Sequence, residues 1–431
     1  MVLVLCLGLL LVGALGLHLS FAAGRAFTQR ERLDAAADAA AYSVALWQAR
    51  VLNYQALANR AIVANEVAIA QAVTLASWAR YFARFSQTAS VLATPWPPVA
   101  SVLAAVQDAA GTIAEITEQV TGEDVAVRSA DNRLMAAGQE FLQWSVGGFA
   151  ASAVANEIVR TTDPGFFAFA LPVPASVMPT RRHEGSDRAR LFEVVRRSLD
   201  DFVLGPRSLD LPLYLLPSAC FGNPFAGWSA WFSTLRKRGG TTMGTDLQRW
   251  EAADTLSLHT HLPQRGWFGW FQGCRQVEAL PLAWGAAEAA SPATGMLLND
   301  PGQVRENPSA AALAEETLAV NPIAGMSAYP GMPVVRELDH AALADTRFPV
   351  ARLAVLARTQ APAGRGAGRL ALPAAEAGGH LWALASAEVF FRRPPGEPVR
   401  VEYASLFSPY WQARLVEPSV LERLVAAGYA R

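Results

Sequence analysis

From Arg25 to Thr94 the chain runs for 70 residues without one Gly or Pro, although it holds 32 glycines and 27 prolines in all. Proline removes a helical donor and clashes with the preceding turn, and an interior glycine costs roughly 1 kcal/mol, so their absence leaves helix unopposed. Ala, Leu, Gln, Arg and Glu, all good helix formers, make up most of the stretch. Directly before it, Met1–Ala23 is apolar apart from His18 and Ser20. At about 1.5 Å per residue that segment reaches roughly 35 Å as a helix, enough to cross a hydrocarbon core of about 30 Å. Together they predict one membrane-rooted rod with the rest of the chain as its head.

A cleavable signal peptide has a basic start, an apolar run of about 7–15 residues and a small-x-small cleavage site. Here no basic residue precedes the apolar run, and the run is longer, which favours a retained span. Arg25, Arg30 and Arg32 follow the span, and the positive-inside rule taken alone puts the long C-terminal part in the cytoplasm. The formal net charge of −1, with 17% charged residues, offers no footprint for nucleic acid.

Along the long helix an apolar or small-residue stripe recurs at alternating four and three: Leu33, Ala37, Ala40, Val44, Trp47, Val51, Tyr54, Ala58. It is the seam of a helix packing lengthwise on other helices, and alanine on much of it permits close approach. Two partners are open for it, helices of this chain and another subunit. Gln48, Arg50, Asn59, Arg60, Glu66, Gln71 and Arg80 take other positions, as a solvated or polar-packed surface.

Thr94-Pro95-Trp96-Pro97-Pro98 ends the helix. Helices are expected over Val99–Val120 and Glu123–Val159, the latter weak at Gly147-Gly148, and the run Thr161–Gly165 is the main boundary. The expected division is a span over 1–23, a long helix over 24–94, a helical bundle segment over 95–163 and an aromatic-rich α+β head over 164–431. Within the head, a helix is expected at Asp187–Val203 with Ser186 as N-cap, strands at Thr255–Leu262 and Gln276–Trp284, and a helix at Ser309–Val320. Strands at Val350–Thr359, His380–Arg392 and Val399–Tyr403, joined across Ala361–Gly379, form an antiparallel C-terminal meander before a helix at Ser419–Tyr429. The fold class is α+β.

The usual catalytic signatures are missing. His183-Glu184 lacks a second ligand at helical spacing. Gly227-Trp228-Ser229-Ala230-Trp231 starts like a nucleophile elbow without its second glycine. Gly364, Gly366 and Gly368 do not form a dinucleotide fingerprint. His259 and His261 share one face of a strand, but no third or fourth ligand lies near in sequence. No catalytic, cofactor or metal residue is assigned. Trp228, Trp231, Trp250, Trp267, Trp270 and Trp284 read first as the core of a β-domain and second as a binding face. Cys6 lies in the span, leaving Cys220 and Cys274 as a disulfide in an oxidising compartment or as two buried thiols.

The run Leu-Asp-Ala-Ala-Ala-Asp-Ala-Ala-Ala-Tyr-Ser over Leu33–Ser43 follows an apolar span and an arginine-bearing turn. After it come Trp47-Gln48-Ala49-Arg50, Asn53-Tyr54-Gln55 and Asn59-Arg60-Ala61-Ile62-Val63-Ala64-Asn65. This pattern resembles the N-terminal signature of TadE/TadG-like proteins of the Flp (tight adherence) pilus-assembly machinery. Tyr403–Leu415, with Ser408-Pro409-Tyr410-Trp411-Gln412-Ala413-Arg414, is similar to the way such proteins end. The resemblance covers about a quarter of the chain, at its two ends. It implies a single-pass, pilin-like or pilus-assembly protein, non-catalytic, its bulk outside the bacterial cytoplasmic membrane, with the membrane and other pilus subunits as partners. It also implies a leader cut by a prepilin peptidase; such a leader upstream of Met1 would also remove the conflict with the positive-inside rule. The DxSxS metal site of longer relatives is absent from this sequence. The rival readings are a membrane-anchored periplasmic hydrolase using Ser229, His259 or His261, and a ligand-binding ectodomain built on the aromatic-rich region.

Overall fold

The helix expected after Arg25 is unbroken and begins earlier: α1 runs from Val2 to Leu92. The computed structural model describes residues 2–173, 176–184, 187–265, 270–343, 345, 349–360, 380–393 and 403–429. The chain is a mixed α+β protein with antiparallel sheets. α1 closes in a turn in which Trp96 N donates to the Ala93 carbonyl, 2.9 Å. α2 (Pro97–Ser145) opens on Pro97, in the first-turn position where a missing N–H costs nothing.

α2 continues through Thr121-Gly122, where the sequence reading ends one helix and begins another. Gly122 serves packing: a Cβ there would lie 3.0 Å from the Ile323 side chain and 3.4 Å from Gly325 N. The helix breaks instead just before α3 (Gly148–Thr162).

By contact density the chain forms two units, each taking a piece of α1 and of α2. The first comprises Met1–Asn59, Ala137–Arg182 and Val335–Arg431; the second comprises Arg60–Ala136 and His183–Val334.

In the first unit, β1 (Phe166–Ala170), β8 (Val350–Thr359), β9 (Trp382–Phe391) and β10 (Trp411–Val416) form an antiparallel sheet in the order β1-β8-β9-β10. The strands alternate with period two. Leu353, Val355, Ala385 and Ala387 face a core that includes Leu33, Ala37, Ala40 and Val44 of α1 and Ala155 and Val159 of α3. Ala354 and Leu356 face the other way, packed with Ala426 of α7 (Val420–Tyr429). A short pair, β2 (Thr180–Arg182) with β7 (Arg336–Leu338), completes this unit.

In the second unit, β3 (Leu209–Pro217), β4 (Phe232–Met243), β5 (Trp250–Arg265) and β6 (Phe271–Ala289) pair antiparallel in chain order. β3 escapes sequence reading because Pro212 and Pro217 interrupt it; as an edge strand pairing only with β4 it tolerates both. α1 crosses this sheet at Gly285, where a Cβ would lie 2.2 Å from Tyr81 N and 2.3 Å from the Ser77 carbonyl oxygen. α6 (Pro308–Val320) covers Ala253 and Ala286 with Ala311, Ala314 and Leu318. The helix expected over Asp187–Val203 is two, α4 (Asp187–Ser198) and α5 (Asp201–Leu204), because the Asp200 side chain accepts from Val203 N and starts the chain anew.

Ser186, Trp267, the glycines at 364, 366 and 368, the connection 361–379 and residues 399–402 of the expected third strand lie outside the described residues.

Candidate functional site

Polar side chains on a helix are normally read as its wet face, but on α1 several are among the most buried groups of the protein. Gln48, Gln55, Asn59, Glu66, Thr74, Ser77 and Arg80 are all buried, whereas Arg50 and Arg60 are exposed and Gln71 is half-buried. Of the surface expected for these positions, the polar-packed alternative holds for Gln48, Asn59, Glu66 and Arg80. A buried polar group must find partners inside, and each of these has at least one, although Gln48 Oε1 and Gln55 Oε1 meet none among the described residues.

The centre of this set in the second unit is Glu66, with none of its surface exposed. Its Oε2 accepts from Trp250 Nε1 at 2.9 Å and from the Tyr329 hydroxyl at 2.6 Å. Its Oε1 accepts from Asn132 Nδ2 at 2.9 Å. Asn132 Oδ1 in turn accepts from Asn65 Nδ2 at 2.9 Å, and Arg128 donates to Asn65 Oδ1 at 3.2 Å. One carboxyl thus ties α1 to α2, to β5 and to the turn after Met326–Ala328. Burial pushes the Glu66 carboxyl up to about 7, while its three donors pull the other way by favouring the charged form. Burial, with the Glu66 charge beside it, also pushes the Tyr329 phenol well above its ordinary range.

Further along α1, Ser77 donates to Asp254 Oδ2 at 3.0 Å. Asp254 Oδ1 takes Arg207 Nε and Lys237 Nζ, both at 2.9 Å, so this fully buried acid faces two cations. Arg80 forms a two-pronged pair with Glu118 at 2.9 and 2.8 Å and donates also to the carbonyls of Ala286 and Asn321.

In the first unit the residues that carry the family resemblance meet. Asn53 Nδ2 donates to the Trp411 carbonyl, and Trp411 N donates to Asn53 Oδ1, both at 2.9 Å. The Asn53 amide therefore imitates a strand neighbour at the first residue of β10. Asn59 Nδ2 donates to the carbonyls of Arg336 and Leu406, at 2.8 and 2.7 Å, and Asn59 Oδ1 accepts from Gln139 Nε2 at 2.7 Å. These asparagines fasten the C-terminal segment onto the helix.

Of the stripe, Leu33, Ala37, Ala40 and Val44 pack in the sheet core, and Val51 and Ala58 are buried as well. Trp47 is half-buried and Tyr54 exposed, its hydroxyl lying against Gly138 of α2.

The described hydrogen bonds of His259 and His261 lead to Asn307 and Phe232 and not to Ser229. Ser229 is exposed in a short 3-10 turn, Trp228–Trp231. His259 Nε2 pairs with Asn307 Oδ1 at 2.8 Å, and His261 Nδ1 with the Phe232 carbonyl at 3.2 Å. Burial pulls the His259 imidazole below its usual range. Among the described residues no group of three or more His, Cys, Asp or Glu is placed to hold a metal ion. Cys220 and Cys274 are joined in a disulfide with their Cα atoms 6.5 Å apart. The tryptophans divide: Trp250 is fully buried, Trp231 and Trp284 are half-buried, and Trp228 and Trp270 are exposed.

An apolar groove of about 380 Å³ lies at the far end of α1 between Phe85, Leu92, Trp96 and Leu282. A polar one of about 350 Å³ is bounded by Asp210, Arg238 and Gly302. Neither contains the Glu66 group. Comparison with protein-family models, curated proteins and solved structures gives no match. The arrangement around Glu66, Asp254 and Asn59 is one of cross-linking: each side chain ties distant pieces of chain to α1.

The partners of Glu66 escaped sequence reading because Asn132, Trp250 and Tyr329 lie 66, 184 and 263 residues away. The only signal available was a lone acid within a run of seven otherwise apolar residues, Ile62–Ile69 apart from Asn65.

Proposed function

We propose that this chain is a non-catalytic, membrane-anchored protein of a Flp (tight adherence) type pilus, pilin-like or serving pilus assembly. Residues 1–23 cross the bacterial cytoplasmic membrane once, and the folded α+β part, ending in the meander β8, β9, β10 and closed by α7, is its extracytoplasmic head.

The observation that carries this reading is the continuity of α1. Its first part is an apolar segment of mean hydropathy 2.6, none of it buried. Its later part is buried within each unit, through Leu33 in the first and through Glu66 and Arg80 in the second. No turn separates anchor from head, as a subunit that projects from a bilayer on a stiff stalk requires. Side chains such as Leu3, Leu10 and Val12, each at least 67% exposed, are unfavourable in water and suit lipid or neighbouring helices. The likeness at Leu33–Asn65 and Tyr403–Leu415 adds to this, since Asn53 bonds to Trp411 and Asn59 to Leu406. With Leu33 to Val44 occupied by the chain's own sheet, contacts with other subunits through this helix fall to the segment before Leu33.

Two measurements test the proposal. Deleting the gene is expected to abolish or alter surface pili seen by electron microscopy and to reduce surface attachment. A reporter active only outside the cytoplasm is expected to be active when fused after Arg431. Normal pili and attachment in a clean deletion strain, or a reporter active only inside, would overturn it.

A further inference from the structure

The outer face of α2 bears an apolar row that is exposed among the described residues. Val99, Val106, Ile113, Val120, Val127 and Leu134 follow one another at intervals of seven, and each is exposed. Val102, Ala109 and Ile116 lie three residues after the first three of them and are exposed too. These are the a and d positions of a heptad repeat sustained over five heptads. The opposite face, with Ala114, Thr121, Val125 and Asn132 buried, is the one turned to α1. Contacts between the two helices in this unit run antiparallel, Ser90 meeting Gln107, Arg80 meeting Glu118 and Glu66 meeting Asn132.

We propose that this row is the docking surface for a second copy of the same chain, through a parallel α2–α2 coiled coil. Four observations favour that occupant. A seven-residue repeat drifts about 20° per heptad around a straight helix, so over five heptads the row turns by about 100°. A flat bilayer surface cannot follow that turn, whereas a supercoiling helix does. Five of the six a residues are Val or Ile, β-branched side chains that suit the a position of a parallel coiled coil. Pairing in register also brings Thr112 beside Thr117, Gln119 beside Asp124 and Ala126 beside Asp131, with no like charges across these flanking positions. Finally, at roughly 100 Å² of apolar surface per Val, Ile or Leu side chain, the eight exposed from Val99 to Leu134 offer about 450 Å² per copy. Two copies with their flanking residues then pass the roughly 1,000 Å² that a specific interface needs. Glu123 interrupts the d row and faces Glu123 of the second copy, a like-charge contact that costs the pairing stability. None of these arguments rests on the pilus reading.

The test is oxidative cross-linking of the full-length chain carrying Cys6→Ser, read in whichever fraction of the expressing cell holds the protein. A failure of membrane anchoring is thereby seen separately from a failure to dimerise. Ile113→Cys is expected to give a covalent dimer, and Glu115→Cys, two residues away and off the row, is not. Ile113→Asp is expected to weaken association in sedimentation at least about tenfold, and Glu123→Leu to strengthen it by a similar factor. The proposal is overturned by a chain that stays monomeric, by cross-linking at Glu115→Cys as readily as at Ile113→Cys, or by a dimer that ignores both Ile113→Asp and Glu123→Leu.

Discussion

Replacing Glu66 by Gln should flatten the dependence of stability on pH. Glu66 is fully buried, and burial raises its carboxyl from an ordinary 4.5 to about 7 in the folded protein. With the folded value the higher one, the native state binds the proton more tightly than the unfolded chain does. The stability this group contributes is therefore fully present below about pH 4.5 and is lost as pH rises through 7. At about 1.4 kcal/mol per pH unit the loss across that window amounts to about 3 kcal/mol. Glutamine has nearly the same shape and keeps an acceptor for Trp250 and Tyr329, but it does not titrate. Urea unfolding between pH 4 and pH 8, followed by tryptophan fluorescence, should show the native chain weakening by about 3 kcal/mol relative to Glu66→Gln. Trp250 donates directly to the carboxyl and so serves as a local probe. Glu66→Ala should instead be destabilised at every pH by about 3–5 kcal/mol, because three buried donors lose their acceptor. Parallel pH profiles for the native chain and Glu66→Gln would refute the reasoning.

Two further predictions separate packing from covalent constraint. Gly285→Ala should abolish folding of the second unit, since its Cβ would lie 2.2 Å from Tyr81 N; Gly111→Ala, with nothing within 4 Å, should stabilise the helix by roughly 0.5–1 kcal/mol. Soluble yield and thermal melting check the pair, and equal behaviour of the two would count against the close α1–β6 approach. Cys220→Ser should lower stability by about 4 kcal/mol, from the chain entropy released when a loop of 54 residues is no longer closed. Alkylation of the denatured, unreduced native chain should label Cys6 alone; three labelled thiols would rule the bridge out.

Much of this architecture was legible from local chemistry. The freedom from Gly and Pro predicted α1, and the proline run Thr94–Pro98 ended it where sterics require. The strand expected at Val350–Thr359 matches β8 to the residue. What misled was local as well. Gly122 looked like a helix break and is a packing site; Pro212 and Pro217 hid β3, because proline excludes a central strand but not an edge one. Trp228 and Trp270, expected first in the core of a β-domain, are both exposed.

By itself the sequence determined that a long helix leaves an apolar segment, that certain of its residues share a face, and that two cysteines were free to pair. Periodicity fixes which side chains lie together on a helix, since that depends only on the turn of the backbone. Only the tertiary structure decided what each face meets. The stripe at Leu33–Val44 found the chain's own sheet, and Glu66, Asn59 and Arg80, polar by any scale, turned inward. A polar group is buried when remote donors are brought to it, and those donors come from Trp250, Tyr329 and Asn132, positions that only the folded chain brings together.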